Sequence, residues 1–214
     1  MSRDPRLAMD RMYRHQRHIY DLTRKFYLLG RDRLIDTLEL RPGERVCEVG
    51  CGTGRNLIAL ARRHAGVACY GIDASQAMLQ TARAAVDRAG LGERIQLRHG
   101  LAEELDPGRA FGLESPFDVI VFAYSLSMIP TWRLAIGRAI AALRPGGTIA
   151  IVDFWDQRDL PAWLARSVRA WLALFDVHPR PELIEELRNE RGIAVSLSPL
   201  YRGYAADLRC VKSA

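Results

Sequence analysis

Three glycines at two-residue spacing, Gly50, Gly52 and Gly54, separate a short apolar run from a helix-period segment in VCEVGCGTGRN. Glycine has no Cβ, so such a turn bends tightly and lets its backbone approach a ligand. Glu48 lies just before the turn, where a carboxylate is costly unless it is paired or hydrogen-bonded. A ligand ammonium group would supply the partner. Asp73, in YGIDAS at the end of the next apolar run, stands where two carboxylate oxygens can accept from both hydroxyls of a ribose. Together the two acids suit a ligand that carries an amine and a nucleoside. Taken singly they have plainer roles: Glu48 as a satisfied strand carboxylate, Asp73 as a cap on the helix that follows, and Met78 as a core residue.

The spacing also excludes chemistries. A dinucleotide turn requires G-x-G-x-x-G, and here Arg55 stands where the third glycine would be. No G-x-x-x-x-G-K-[ST] run is present to cradle a triphosphate. The four cysteines (Cys47, Cys51, Cys69, Cys210) match no zinc or redox spacing, so no metal site is expected and the thiols read as small packing residues.

The elements that must position these residues follow from periodicity. From residue 45 onward, apolar runs alternate with helix-period segments, the pattern of repeated βα units around a parallel sheet. Strands are expected at 45–49, 68–72, 94–98, 118–123 and 148–153, each apolar enough to be covered on both faces. Helices are expected at 53–64, 75–90, 131–144, 159–175 and 181–191, with Ser75 as an N-cap and Pro145-Gly146-Gly147 as a stop. Two alternating segments, IAVSLSPL and GYAADLRCV, read as antiparallel strands closing one edge. The expectation is a doubly wound α/β fold with a mostly parallel seven-stranded sheet, in a single domain spanning residues 1–214. Residues 1–35 form an N-terminal helical extension, 45–153 the ligand-binding core and 154–214 lid helices with the terminal strands.

The chain of 214 residues carries a net charge of +6, which favours an anionic contact without choosing among nucleic acid, acidic lipid and acidic metabolite. Residues 1–33 hold nine Arg or Lys against four Asp. There, aromatic and aliphatic residues recur at near-helical spacing among the bases. No stretch is long and apolar enough to span a bilayer, so a cytoplasmic protein with at most peripheral membrane contact is expected.

EVGCGTGRN followed by GIDAS resembles the S-adenosylmethionine site of the class I methyltransferases. That resemblance implies S-adenosyl-L-methionine as cofactor. The segment Gly50, Cys51, Gly52, Thr53 and Gly54 would pass under its methionine part, with Glu48 and Asn56 beside it. Asp73 would hold the ribose, Ala74 and Met78 would line the adenine, and Gly100, Leu101, Ala102 and Glu103 would sit at its edge. A sulfonium leaving group is already activated, so such an enzyme needs in-line placement of the nucleophile more than acid catalysis. If the acceptor is an amine, aromatic rings can hold the growing cation by contacts worth about 0.5–2 kcal/mol each. Tyr124 and Ser125, after the fourth strand, stand at the substrate edge of such a sheet as catalytic candidates, with turn chemistry the plainer reading of Ser125.

Across nearly the whole chain, RHIYDLTRKFYLLGRDRLI joined to CEVGCGTGRN, with DFWDQRDLPAW after the fifth strand, is similar to the bacterial betaine-lipid methyltransferases. That similarity implies three methylations of diacylglyceryl-homoserine, with Tyr13 and Tyr20 at the reacting amine and Tyr27 and Arg31 near the cofactor. The expected partners are a lipid-headgroup amine and an anionic membrane surface, with oligomeric state left open. A stripe of Leu160, Trp163, Leu164, Val168, Trp171, Leu172 and Phe175 reads as that membrane contact, as a lid over the substrate, or as packing on the sheet. The alternatives are methylation of phosphatidylethanolamine or of a soluble amine, and a non-catalytic cofactor-binding module with a basic nucleic-acid-binding helix. No base-methylase N-P-P-Y motif or nucleic-acid recognition module supports the last.

Overall fold

A computed structural model describes residues 28–175 and 177–214. Tyr13, Tyr20 and Tyr27, and with them most of the expected N-terminal extension, lie outside the described residues.

Seven strands form one sheet: β1 Arg45–Val49, β2 Ala68–Asp73, β3 Ile95–His99, β4 Phe117–Ala123, β5 Leu143–Phe154, β6 Ile193–Leu200 and β7 Ala205–Lys212. Their order is β3-β2-β1-β4-β5-β7-β6, with β1 to β5 parallel and β7 antiparallel to both β5 and β6. The helices are α1 Arg31–Asp36, α2 Arg55–Arg63, α3 Gln76–Arg88, α4 Pro107–Phe111, α5 Trp132–Ala142, α6 Ala162–Ala173 and α7 Leu183–Asn189. The doubly wound α/β architecture expected from the sequence is the observed one. Among the described residues no helix is long and apolar enough to cross a membrane.

Strand alternation sorts the core into two layers. Val46, Val119, Val121, Ala150 and Val152 face one cluster, which takes in Leu34 of α1, Leu57 and Leu60 of α2, Leu79 and Ala82 of α3, and Leu172 of α6. Cys47, Val49, Ile120, Phe122, Ile149 and Ile151 face the other, which takes in Phe111, Trp132, Ile136 and Leu187 from α4, α5 and α7. Each fully buried side chain of this size contributes about 1.5–3 kcal/mol. Both faces are covered, and the continuous apolar runs of the central strands are the sequence image of that burial.

Local chemistry sets the helix starts. Ser75 caps α3 by accepting from the Met78 amide at 3.3 Å, as its position predicts. Asp106 caps α4 through the Arg109 amide at 2.8 Å, with Pro107 in the first turn. This short helix escapes periodicity because five residues carry no repeat.

β5 departs from expectation, beginning at Leu143 rather than 148. Phe117 pairs with Leu143 and Val119 with Thr148, so the Arg144-Pro145-Gly146-Gly147 segment bulges out of an already started strand. A Cβ on Gly147 would lie 2.9 Å from the Asp118 carbonyl, so the close return needs glycine there.

Candidate functional site

The sheet order reverses at β1, which is flanked by β2 on one side and β4 on the other. Ligands of open α/β sheets bind outside the carboxyl ends of the strands at such a point. A cleft opens there, and the turn after β1 forms its floor.

Gly50, Gly52 and Gly54 all have positive φ, at 74°, 53° and 74°, a region that residues with a Cβ rarely enter. The Gly50 and Cys51 amides both donate to the Ile72 carbonyl, at 2.8 and 3.2 Å, which pins the turn against the end of β2. Gly54 serves as the N-cap of α2 without lining the cleft, and a Cβ on it would press on Ala82 of α3 at 3.3 Å.

Two buried carboxylates flank the turn. Glu48 is 1% exposed and accepts from the Asn56 side-chain amide at 2.6 Å. Asp73 accepts from the Gly52 amide at 2.7 Å through Oδ2 and from the Ser75 amide at 2.8 Å through Oδ1. Ser75, not Asp73, is the N-cap of α3, and the Asp73 carboxylate instead ties the end of β2 to the turn after β1 and to the cap residue itself. Burial, reinforced by Asp73 and then Glu48, pushes the Cys51 thiol well above its ordinary pKa. It stays a neutral thiol, so the electrostatic character at the floor comes from the carboxylates.

Glu48, Gly50, Cys51, Gly52, Thr53, Asn56, Asp73, Ala74, Met78, Gly100, Leu101, Ala102, Glu103, Tyr124, Ser125 and Arg31 all line this cleft. The segment after β3 is held by Gly100 N donating to the Asp73 carbonyl at 3.1 Å. Across the mouth, the Thr131 hydroxyl donates to Glu103 Oε1 at 2.9 Å.

Tyr124 and Ser125 sit at the carboxyl edge of β4, but their hydroxyl protons are committed to the backbone. Ser125 Oγ donates to the Val49 carbonyl at 2.8 Å, and its Cβ lies 2.6 Å from where a Cβ on Gly50 would stand. The serine braces the floor of the cleft. Tyr124 has a φ of 57°, which is strain at the mouth of a site, and its hydroxyl donates to the Leu29 carbonyl. Burial, then the nearby Asp153 carboxylate, push its pKa far up. Tyr124 is a neutral phenol at any physiological pH.

Sequence reasoning missed Leu28, Arg55, Ile72, Ala123 and the run Met128, Ile129, Pro130 and Thr131, all of which line the cleft. The last four follow β4 directly, so the rule that ligands meet the carboxyl ends of strands would have reached them. They carry no glycine or charge to draw attention.

The residues present fit S-adenosylmethionine: a floor of close-approach backbone, buried acids suited to a cation and to vicinal hydroxyls, and an apolar wall of Ile72, Met78, Leu101 and Ile129 suited to a flat heterocycle. Comparison with known proteins agrees. The chain is 35% identical over 156 residues to phosphatidylethanolamine N-methyltransferase of Cereibacter sphaeroides, covering 67% of this chain and 73% of that one. It is 32% identical over 123 residues to 27-O-demethylrifamycin SV methyltransferase of Amycolatopsis mediterranei, covering 58% and 43%. The chain spans about half the length of several curated relatives it matches. For the fold, it superposes with a TM-score of 0.75 at 15% identity, over 100% of both chains, on a chain from the complex between the Haloferax volcanii Trm112 methyltransferase activator and a putative methyltransferase. The methyltransferase-domain family model matches residues 13–192, which take in the whole glycine turn, both acids and the five parallel strands β1 to β5. The chain thus belongs to that family and is a class I S-adenosyl-L-methionine-dependent methyltransferase.

Proposed function

We propose that this chain methylates the amine of a glycerolipid headgroup, in successive transfers that end in a quaternary ammonium. The observation that carries the reading is the similarity to a phosphatidylethanolamine N-methyltransferase over two thirds of each chain. Diacylglyceryl-homoserine is the acceptor we favour, on the whole-chain resemblance of the sequence to betaine-lipid methyltransferases. Phosphatidylethanolamine is the second reading, favoured by the name of that relative.

In this account the cofactor supplies a methyl group on a sulfonium leaving group. The Gly50 to Gly54 turn, with Cys51, Thr53 and Asn56, holds its amino-acid part, and Glu48 faces the ammonium. Asp73, at the end of β2 and lining the cleft, accepts from the ribose hydroxyls. Ala74, Met78, Leu101 and Ala102 pack on the adenine, with Gly100 and Glu103 at its edge, and Arg31 closes the side nearest α1.

Tyr124 is a positioning group. Its hydroxyl donates to the Leu29 carbonyl, so the phenol oxygen can accept from an acceptor N–H, while its ring is packed against Phe154 at 4.7 Å. A phenol with so high a pKa does not take the amine proton, and Ser125 has spent its donor. In this account neither of these two residues is the base, and the amine arrives unprotonated or gives up its proton elsewhere. The roles expected of Tyr13 and Tyr20 at the amine, and of Tyr27 near the cofactor, remain part of this proposal.

The test is incubation of the purified chain with methyl-labelled cofactor, vesicles of each amine lipid and a soluble amine, followed by phase extraction. Label in the organic phase supports the reading. Label confined to the aqueous amine overturns it.

A further inference from the structure

We infer that α6 is the surface on which this protein seats against an anionic phospholipid bilayer. The apolar stripe read from the sequence as one face is in fact divided between two. Ala165 and Leu172 are buried, and Val168 and Phe175 pack against the layer that contains Leu28 and Tyr124. Both of those line the cleft. On the opposite side Trp163 is 65% exposed and Leu174 80% exposed.

Trp163, Ser167, Ala170 and Leu174 follow one another at helical intervals of four, three and four residues, so they form a single outward row. Trp171, 36% exposed, borders one side of the row, and its ring meets Phe175 edge-on at 5.1 Å. Arg166 borders the other side, with Arg169 further round the helix beyond it, and both are exposed. No Asp or Glu occurs in Ala162–Ala173.

An outward row that pairs tryptophan with leucine, with arginine on one side and no acidic residue within the helix, combines the two forces that hold a helix in a membrane interface. The row buries apolar surface in the acyl boundary, and the arginines attract acidic headgroups. Tryptophan prefers that depth because its ring is apolar at one end and wet at the other. The net charge of +6 acts in the same direction. The purpose of such docking rests on the lipid-acceptor reading above: a headgroup amine could reach the cleft while its acyl chains stay in the bilayer.

The test uses the full chain and vesicles of phosphatidylcholine with or without phosphatidylglycerol. Neither lipid has a free amine, so binding is read apart from any transfer. The chain should sediment with the acidic vesicles and much less with phosphatidylcholine alone. Tryptophan emission should move to shorter wavelength on binding, because Trp132 and Trp155 are already buried and only Trp163 and Trp171 have water to lose. Trp163→Ser with Leu174→Ser should lower vesicle binding by about tenfold or more, given that binding scales with buried apolar area. Arg166→Gln with Arg169→Gln should weaken binding to the acidic vesicles and reduce its salt dependence. Cofactor affinity by calorimetry should stay unchanged in both double variants, which shows that they are folded.

Absence of sedimentation, or equal binding by the Trp163/Leu174 variant, would overturn the inference. So would light scattering that shows a dimer which that variant dissolves, because the row would then bury itself against a second copy. If acidic vesicles bind but no lipid amine is methylated, the acceptor reading fails and the docking surface stands.

Discussion

The carboxylate of Asp73 accepts from the Gly52 amide at 2.7 Å, joining the end of β2 to the turn that follows β1. A residue that shapes the floor of the cleft is thus also the one assigned to the ribose. Asp73→Ala removes both functions and should weaken cofactor binding by about tenfold or more, since hydrogen bonds to a charged group contribute about 1.5–3 kcal/mol. Asp73→Asn, which keeps one acceptor oxygen, should fall between. Calorimetry reads both, and wild-type affinity in the alanine variant would remove the ribose assignment.

Gly71, on β2 beside Glu48, has no room for a methyl group. A Cβ there would meet Leu57 at 2.6 Å, Cys51 Sγ at 2.8 Å and Leu97 at 2.9 Å. Gly71→Ala should cost about 1–3 kcal/mol by overpacking, read as a lower urea midpoint with an unchanged slope. Gly92→Ala, with only the Asp87 carboxylate at 3.8 Å, is the matched control and should cost less.

Ser125 and Tyr124 are separable by kinetics. Ser125→Ala leaves the Val49 carbonyl without its donor and should cost about 1 kcal/mol of stability. Its turnover should stay within a few-fold of wild type, because the hydroxyl is not free to act on substrate. Tyr124→Phe should raise the acceptor KM while cofactor affinity holds. A collapse of turnover in the serine variant, with normal stability, would return Ser125 to a catalytic role.

Asp153, at the end of β5, is buried, and burial lifts its carboxyl from 3.8 to about 6 against hydrogen bonds from Ser127 and Phe154 that lower it. Between those values the native chain holds a proton that the unfolded chain has released. Its contribution therefore favours the fold below about pH 4 and is lost as pH rises through about 6, a change of up to ~3 kcal/mol. The slope of stability against pH in that window should flatten in Asp153→Asn. Urea denaturation across the window measures it, and an identical slope in the variant would contradict the buried acid.

What the sequence made legible were features with a local cause. Continuous apolar runs marked β1 to β5 because both faces are covered, and Gly50, Gly52 and Gly54 marked the turn because its backbone needs positive φ. Ser75 was legible as a cap because a cap is a three-residue event. Features set by packing were not. The division of α6 between Leu172 inward and Trp163 outward depends on where the sheet lies, and a run of apolar residues on most of its circumference does not reveal it. Nor does periodicity show that β5 starts before Pro145, because its first pair, Phe117 with Leu143, is a long-range contact. Met128 to Thr131 reach the cleft through a turn held by Met128 N on the Ser125 carbonyl at 3.1 Å, with no distinguishing residue type.

The most direct measurement of the account is mass spectrometry of lipid recovered after purified chain, S-adenosyl-L-methionine and vesicles containing diacylglyceryl-homoserine are incubated together. Mono-, di- and trimethylated homoserine lipid should appear in turn, with the trimethyl form accumulating. Homoserine lipid recovered unchanged beside a methylated water-soluble amine would contradict it.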